Sequence, residues 1–136
     1  MPAYAIAQEA GPAADTAMIQ PVGDTDLNQF LWTNRPVIVF ADTPADPRYS
    51  EQIERLRTDM DALVDRDVVV LTDTDPSARS PIRQKLRPRG FQLVLIGKDG
   101  GVKLRKPFPY SVRELGRTID KMPMRQQEIR ERRGDG

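Results

Sequence analysis

Apolar positions in this chain come in two kinds of run. Val37–Ala41 (VIVFA), Val68–Leu71 (VVVL) and Leu93–Ile96 (LVLI) are unbroken and rich in β-branched residues. Each is too short for a typical helix and reads as a strand covered on both faces. Val102-Lys103-Leu104-Arg105-Lys106 instead alternates apolar with basic, as a half-exposed edge strand does, and its charges discourage further pairing. Lys98-Asp99-Gly100-Gly101 supplies the tight turn between the last two runs, because Asp-Gly and Gly-Gly tolerate the positive φ of hairpin turns.

The segments between the strands carry helical spacing and helix-start chemistry. Asp46-Pro47 places an N-cap before proline at the first helical position, and Ile53, Leu56, Met60, Leu63 and Val64 follow at spacings of three and four. Asp65-Arg66-Asp67 breaks that helix. Ser80-Pro81 repeats the signal, predicting a short helix with Ile82 and Leu86 inward and Arg79, Arg83, Lys85 and Arg87 outward, stopped by Pro88. Ser111-Val112-Arg113-Glu114 is a capping box, opening a helix whose Val112, Leu115, Ile119 and Met122 share one face up to Pro123. Asp24-Thr25-Asp26 caps a further short helix through Leu27, Phe30, Leu31 and Trp32, ended by Asn34-Arg35-Pro36.

The order is β-α-β-α-β-β-α. Its first two strands form a right-handed βαβ unit and its last two a hairpin. With the first strand central, the expected fold is α/β, a four-stranded mixed sheet in the order 4-3-1-2 with helices on both faces. A length of 136 residues suits one domain. The expected division is a disordered Ala/Pro-rich leader over residues 1–23, the domain over 24–124, and a charged tail over 125–136 that can continue as a solvated helix but buries little. Ala5-Ile6-Ala7 before Gln8 has the small-x-small form of a signal-peptidase site, without the charged and apolar regions that precede one. If it is a signal-peptide remnant the protein is periplasmic or secreted, and otherwise cytoplasmic.

Composition narrows the chemistry more than any motif does. The chain has no Cys, which removes disulfides, thiol nucleophiles and Cys-x-x-Cys redox sites, and no His, which removes the usual near-neutral base. Catalysis is left to Asp, Glu, Lys, Arg, Tyr, Ser or Thr. The net charge of +1 marks neither a nucleic-acid nor a membrane binder, and no run is long enough to span a bilayer. Arg79, Arg83, Lys85, Arg87 and Arg89 have only Phe91 near them, so they read as a solvated face, not a nucleic-acid surface.

The order of elements resembles the thioredoxin fold from about Asn34 to Met122. Val37–Ala41 resembles the strand before the redox loop, and LVLIGKDG, residues 93–100, resembles the hairpin strand and turn. The redox motif is expected within Thr43–Pro47, where this chain has Thr-Pro-Ala-Asp-Pro. The facing proline is expected near Phe91-Gln92, and neither residue is proline. RPVIVFA, DPRY, RDVVVLTD, LRPRGFQLVLIGKDGGVKLR and SVRELGRTIDKMPMRQQEIRER together resemble an uncharacterised bacterial domain family. That family is related to domains in the vertebrate "down-regulated by oncogenes" protein and in sushi-repeat extracellular proteins. The resemblance implies a thioredoxin-like domain without redox cysteines, often exported, with no established reaction and no catalytic residues to carry over.

Candidate ligand-binding residues follow from the rule that open α/β sheets bind beyond the carboxyl ends of parallel strands. Asp42, Thr43, Asp46, Arg48 and Tyr49 lie on the first such loop and helix turn, and Asp73 and Asp75 on the second. Asp42, Asp73 and Asp75 form the candidate set for Mg²⁺ or Ca²⁺, which take oxygen ligands. The competing structural reading makes Asp46 and Asp75 helix caps before proline and pairs Arg48 with Asp42 or Asp46. The functional expectation is a redox-inactive binding or interaction module without a cofactor, its ligand and any protein partner unidentified. The alternative is a divalent-metal enzyme or sensor.

Overall fold

The computed structural model describes residues 19–134. The three unbroken apolar runs lie side by side at the middle of a sheet. β2 (Arg35–Phe40) is buried along its whole length. It pairs in parallel with β3 (Val68–Asp73) and antiparallel with β4 (Gln92–Ile96), which turns into β5 (Val102–Lys106). A fifth strand, β1 (Ile19–Pro21), runs parallel to β3 and gives the order β1-β3-β2-β4-β5. The expected order 4-3-1-2 is present as β5-β4-β2-β3.

The additional strand corrects the expected leader, which extends too far at its C-terminal end. Ile19–Pro21 fills the open edge of β3, the Val22 amide donates to the Thr72 carbonyl at 2.9 Å, and the Val22 side chain is buried. An uncovered parallel strand leaves a row of unpaired backbone groups, and these residues close it. Residues 1–18, including the Ala5-Ile6-Ala7 signal, lie outside the described residues.

The helices are α1 (Pro47–Arg57), α2 (Met60–Asp65), α3 (Pro81–Leu86), α4 (Val112–Asp120) and α5 (Pro123–Arg132). Asp46 and Ser80 are the N-caps of α1 and α3, each before a proline, and Ser111 and Glu114 complete the capping box of α4. The single helix expected through Val64 is instead α1 followed by α2. The Asp59 carboxylate accepts from the Ala62 amide and starts a new helix there. The restart turns Val64 out to solvent.

Alternation along β2 divides the core. Val37 and Val39 face Leu56, Leu63, Leu115 and Ile119 of α1, α2 and α4, while Ile38 and Phe40 face Ile82 and Leu86 of α3 and Leu27 of a 3₁₀ turn. The β4–β5 turn needs glycine at Gly100, which has φ +85°, and a Cβ there would stand 2.9 Å from the Leu31 side chain. No helix among the described residues is long and apolar enough to cross a membrane.

The expected solvated tail is also corrected. α5 packs at the end of the sheet where β2 begins and buries Arg125. Its Glu128 is the counter-ion of the buried Arg35 and Lys98.

Candidate functional site

At the carboxyl ends of β2 and β3, the expected site residues are engaged in building the fold. Asp46 caps α1 through the Arg48 amide at 2.9 Å and holds the Arg48 guanidinium at 3.1 and 2.9 Å, with that guanidinium 5.6 Å from the Phe91 ring centre. Thr43 accepts from the Ala45 amide within its own turn, Tyr49 packs half-buried against the core, and Asp42 is exposed. Asp73 is buried and accepts from Ser80 Oγ at 2.7 Å, from Arg83 Nε and one terminal nitrogen at 3.1 Å, and from the Asp75 amide. Asp75 in turn caps the turn that follows, accepting from the Ser77 amide and hydroxyl.

Asp73 and Asp75 adjoin within one turn, and each carboxylate is hydrogen-bonded within the fold. Among the described residues no three acidic side chains are placed to hold a metal ion. Arg83, expected to point outward, folds back over the sheet end. It also donates to the carbonyls of Ala41 and Asp73 and lies 5.3 Å from the Phe40 ring centre. Its guanidinium bridges β2 and β3 where a ligand was expected.

The opposite pole, where β2 and β3 begin, holds a dense ionic network. Arg35, 1% exposed, donates to both carboxylate oxygens of Glu128 at 3.2 and 3.1 Å and to the Arg66 carbonyl at 2.9 Å. Lys98, also buried, bridges Glu128 at 2.7 Å and Asp67 at 2.8 Å. Asp120 receives Arg66 and Arg125, and Asp65 receives Arg125 and Arg132. These bonds tie α2, α4 and α5 to the start of β2 and the end of β4.

Beside this network opens a cleft of about 630 Å³, between the β4–β5 turn and the corner joining α4 to α5. Trp32, Arg35, Lys98, Lys103, Lys121 and Met124 are among its lining residues. A space of this size lies within the range of about 300–1,000 Å³ usual for small-molecule sites. Trp32 is 62% exposed, and its backbone is left-handed at φ 66°. Its amide is anchored to the Lys98 carbonyl at 2.8 Å. A bulky residue in that region is strained by roughly 1–2 kcal/mol. Met124 is exposed as well, and Lys121 has no ionic partner among the described residues.

The carboxylates of the network set the response to pH. For Glu128, burial pushes its pKa up, but hydrogen bonds from Lys98 and Arg35 outweigh that and hold it below the ordinary 4.5. Asp73 behaves alike: burial is overcome by Arg83, Ser80 and the Asp75 amide, leaving it below 3.8. The hydrogen bond from Arg66 lowers Asp120, and that from Arg132 lowers Asp65. A carboxylate with a depressed folded pKa contributes stability above its unfolded value and loses it as pH falls through the folded one. With no His in the chain, no side chain of ordinary pKa titrates near neutrality. The urea midpoint is therefore expected to stay level from about pH 8 to about pH 5.5 and to fall steeply below about pH 4.

Sequence reasoning missed the cleft because its parts lie far apart in the chain. The available signals were the single Trp at a helix end and Pro123 directly after Met122, which starts a second helix and not a tail.

A family model described as a domain of unknown function (DUF4174) matches residues 26–128. No curated protein matches the sequence significantly. Among solved structures, the reduced 2-Cys peroxiredoxin of Plasmodium vivax is similar at 17% identity and TM-score 0.60, covering 74% of this chain and 84% of that one. Chloroplastic thioredoxin z is similar at 15% identity and TM-score 0.58, covering 78% and 95%. Plasmodium yoelii thioredoxin peroxidase I is similar at 19% identity and TM-score 0.53, covering 81% and 82%. At these identities the likeness establishes the thioredoxin-like fold.

Proposed function

We propose that this chain, which belongs to the DUF4174 family of domains of unknown function, acts as a redox-inactive binding module with its binding site in the Trp32 cleft. Thiol exchange requires a thiolate, and the chain has no Cys to supply one. The metal-enzyme alternative is less well supported, because among the described residues no three acidic side chains are placed to hold an ion, and Asp73 and Asp75 already bond Ser80, Arg83 and Ser77. The observation that carries the binding reading is Trp32 itself. A large aromatic side chain is held exposed, in strained backbone, on the wall of a cleft of about 630 Å³. Strain of this kind persists where it contributes something other than stability.

Replacing Trp32 tests this without any ligand in hand. Asn tolerates the left-handed region, so Trp32→Asn is expected to unfold at an equal or higher urea midpoint than wild type, followed by far-UV circular dichroism. A loss of more than about 1 kcal/mol would make Trp32 a packing residue and remove the basis of the reading.

A further inference from the structure

The chemistry around the cleft says what kind of ligand it takes, an inference that rests on the cleft being the binding site. Its walls are apolar at Trp32, Met122, Pro123 and Met124, and its rim is cationic at Lys103 and Lys121. The charges divide clearly once each is paired. Arg35 and Lys98 are neutralised by Glu128 and Asp67 behind the wall, and Lys103 binds Asp99 at 2.9 Å. Asp120, next to Lys121 in the chain, is taken by Arg66 and Arg125. Among the described residues that line the cleft, Lys121 is left as the unpaired cation.

Two further features favour an anion there. α5 begins at the cleft with Met122 at its N-cap position, Pro123 first, and no side chain bonded to its free backbone amides. A helix start left uncapped carries ~0.5 of a positive charge and unmet N–H donors. At the same cleft, Arg35 Nε is buried and without a hydrogen-bond partner among the described residues. That unmet N–H leaves a partial positive charge behind the cleft wall, which favours an anion in the cleft over a cation.

We infer that the cleft binds a monoanionic carboxylate carried on an apolar body, with the body against Trp32 and Met124 and the carboxylate at Lys121 and the α5 N-terminus. One free cation and half a dipole charge match a monoanion. A phosphate dianion would remain undercompensated, because the other cations already have partners. The apolar body is either an aromatic ring stacked on the indole or an alkyl chain along the Met124 wall, two sources of the same chemistry.

Trp32 is the single Trp of the chain, so its emission reports on the cleft directly. The full chain is titrated with 4-phenylbutyrate and 4-phenylbutanol, and with octanoate and octanol, with inorganic phosphate as a separate arm. Each carboxylate that fits is expected to shift Trp32 emission saturably and to bind about fivefold or more tightly than its alcohol. Lys121→Gln is expected to abolish that preference while leaving the affinity for the alcohol unchanged. The phenyl and octyl pairs tell the aromatic source from the alkyl one. Equal binding of acid and alcohol, a preference surviving in Lys121→Gln, or saturation by phosphate alone would each overturn the inference while leaving the cleft a binding site. Silence of Trp32 toward every probe also overturns it, and the stability of Trp32→Asn then decides separately whether the cleft serves binding at all.

Discussion

Glu128→Ala is expected to lower stability by about 3–5 kcal/mol, because it strands two buried cations at once. Arg35 is 1% and Lys98 8% exposed, and both place nitrogens on the Glu128 carboxylate within 3.2 Å. Lys98 retains Asp67 and Arg35 retains the Arg66 carbonyl, so the loss is large but not total. Against a domain stability of roughly 5–15 kcal/mol, this change brings the protein near its unfolding threshold. Urea unfolding followed by circular dichroism reads it, with Glu131→Ala on the exposed side of the same helix expected within about 0.5 kcal/mol of wild type. A Glu128→Ala midpoint close to wild type would return α5 to the status of a loose tail.

Asp73→Asn is expected to cost about 3 kcal/mol, since the amide keeps the shape of the carboxylate but not its charge. The Arg83 guanidinium would stay pinned by the Ala41 and Asp73 carbonyls, beside Phe40, with its counter-ion gone. Asp42→Asn, at an exposed position, is expected to change stability by less than about 0.5 kcal/mol. The comparison also separates the two roles considered for these acids. Carboxylates gathered for a metal repel one another in its absence, so neutralising one of them would stabilise the metal-free chain. A rise in the urea midpoint of Asp73→Asn would therefore restore the metal reading.

The sequence displayed whatever is fixed by local pattern. The runs at Val37, Val68 and Leu93, the Asp46-Pro47 and Ser80-Pro81 starts, and the Ser111–Glu114 box each act within a few residues, and each is where its pattern placed it. β1 was hidden because three residues of mixed polarity show no alternation, and only the open edge of β3 makes them a strand. The role of α5 was hidden for a different reason. A helix charged on every side looks solvated unless its partners are known, and Arg35 and Lys98 lie 93 and 30 residues away from Glu128. Arg83 misled in the same way, since a long side chain on an outward position can reach back over the sheet end.

The site illustrates the same limit. Position after a parallel strand made Asp42, Asp46, Asp73 and Asp75 candidates, yet Asp is also the preferred cap, and capping with ion pairing accounts for three of them. The cleft takes its walls from residues near 32, 98, 103 and 122, which only the fold assembles. At the carboxyl ends of β2 and β3, Arg83 and the Asp46–Arg48 pair fill much of the space and leave a pocket of about 290 Å³ beside Asp73 and Asp75, whereas the cleft of about 630 Å³ lies at the opposite pole.

The placement of binding in that cleft is tested most directly by mapping a small, chemically mixed fragment set onto the protein by nuclear magnetic resonance. The readouts are the Trp32 indole N–H and the methionine methyl groups, with Met122 and Met124 in the cleft and Met60 in the core as a control. The account predicts that fragments which bind shift Trp32, Met122 and Met124 together and leave the Thr43 and Tyr49 amides unmoved. Fragments gathering instead at Asp42–Tyr49 or around Asp73 and Asp75, with Trp32 silent, would contradict it and return the site to the carboxyl ends of the parallel strands.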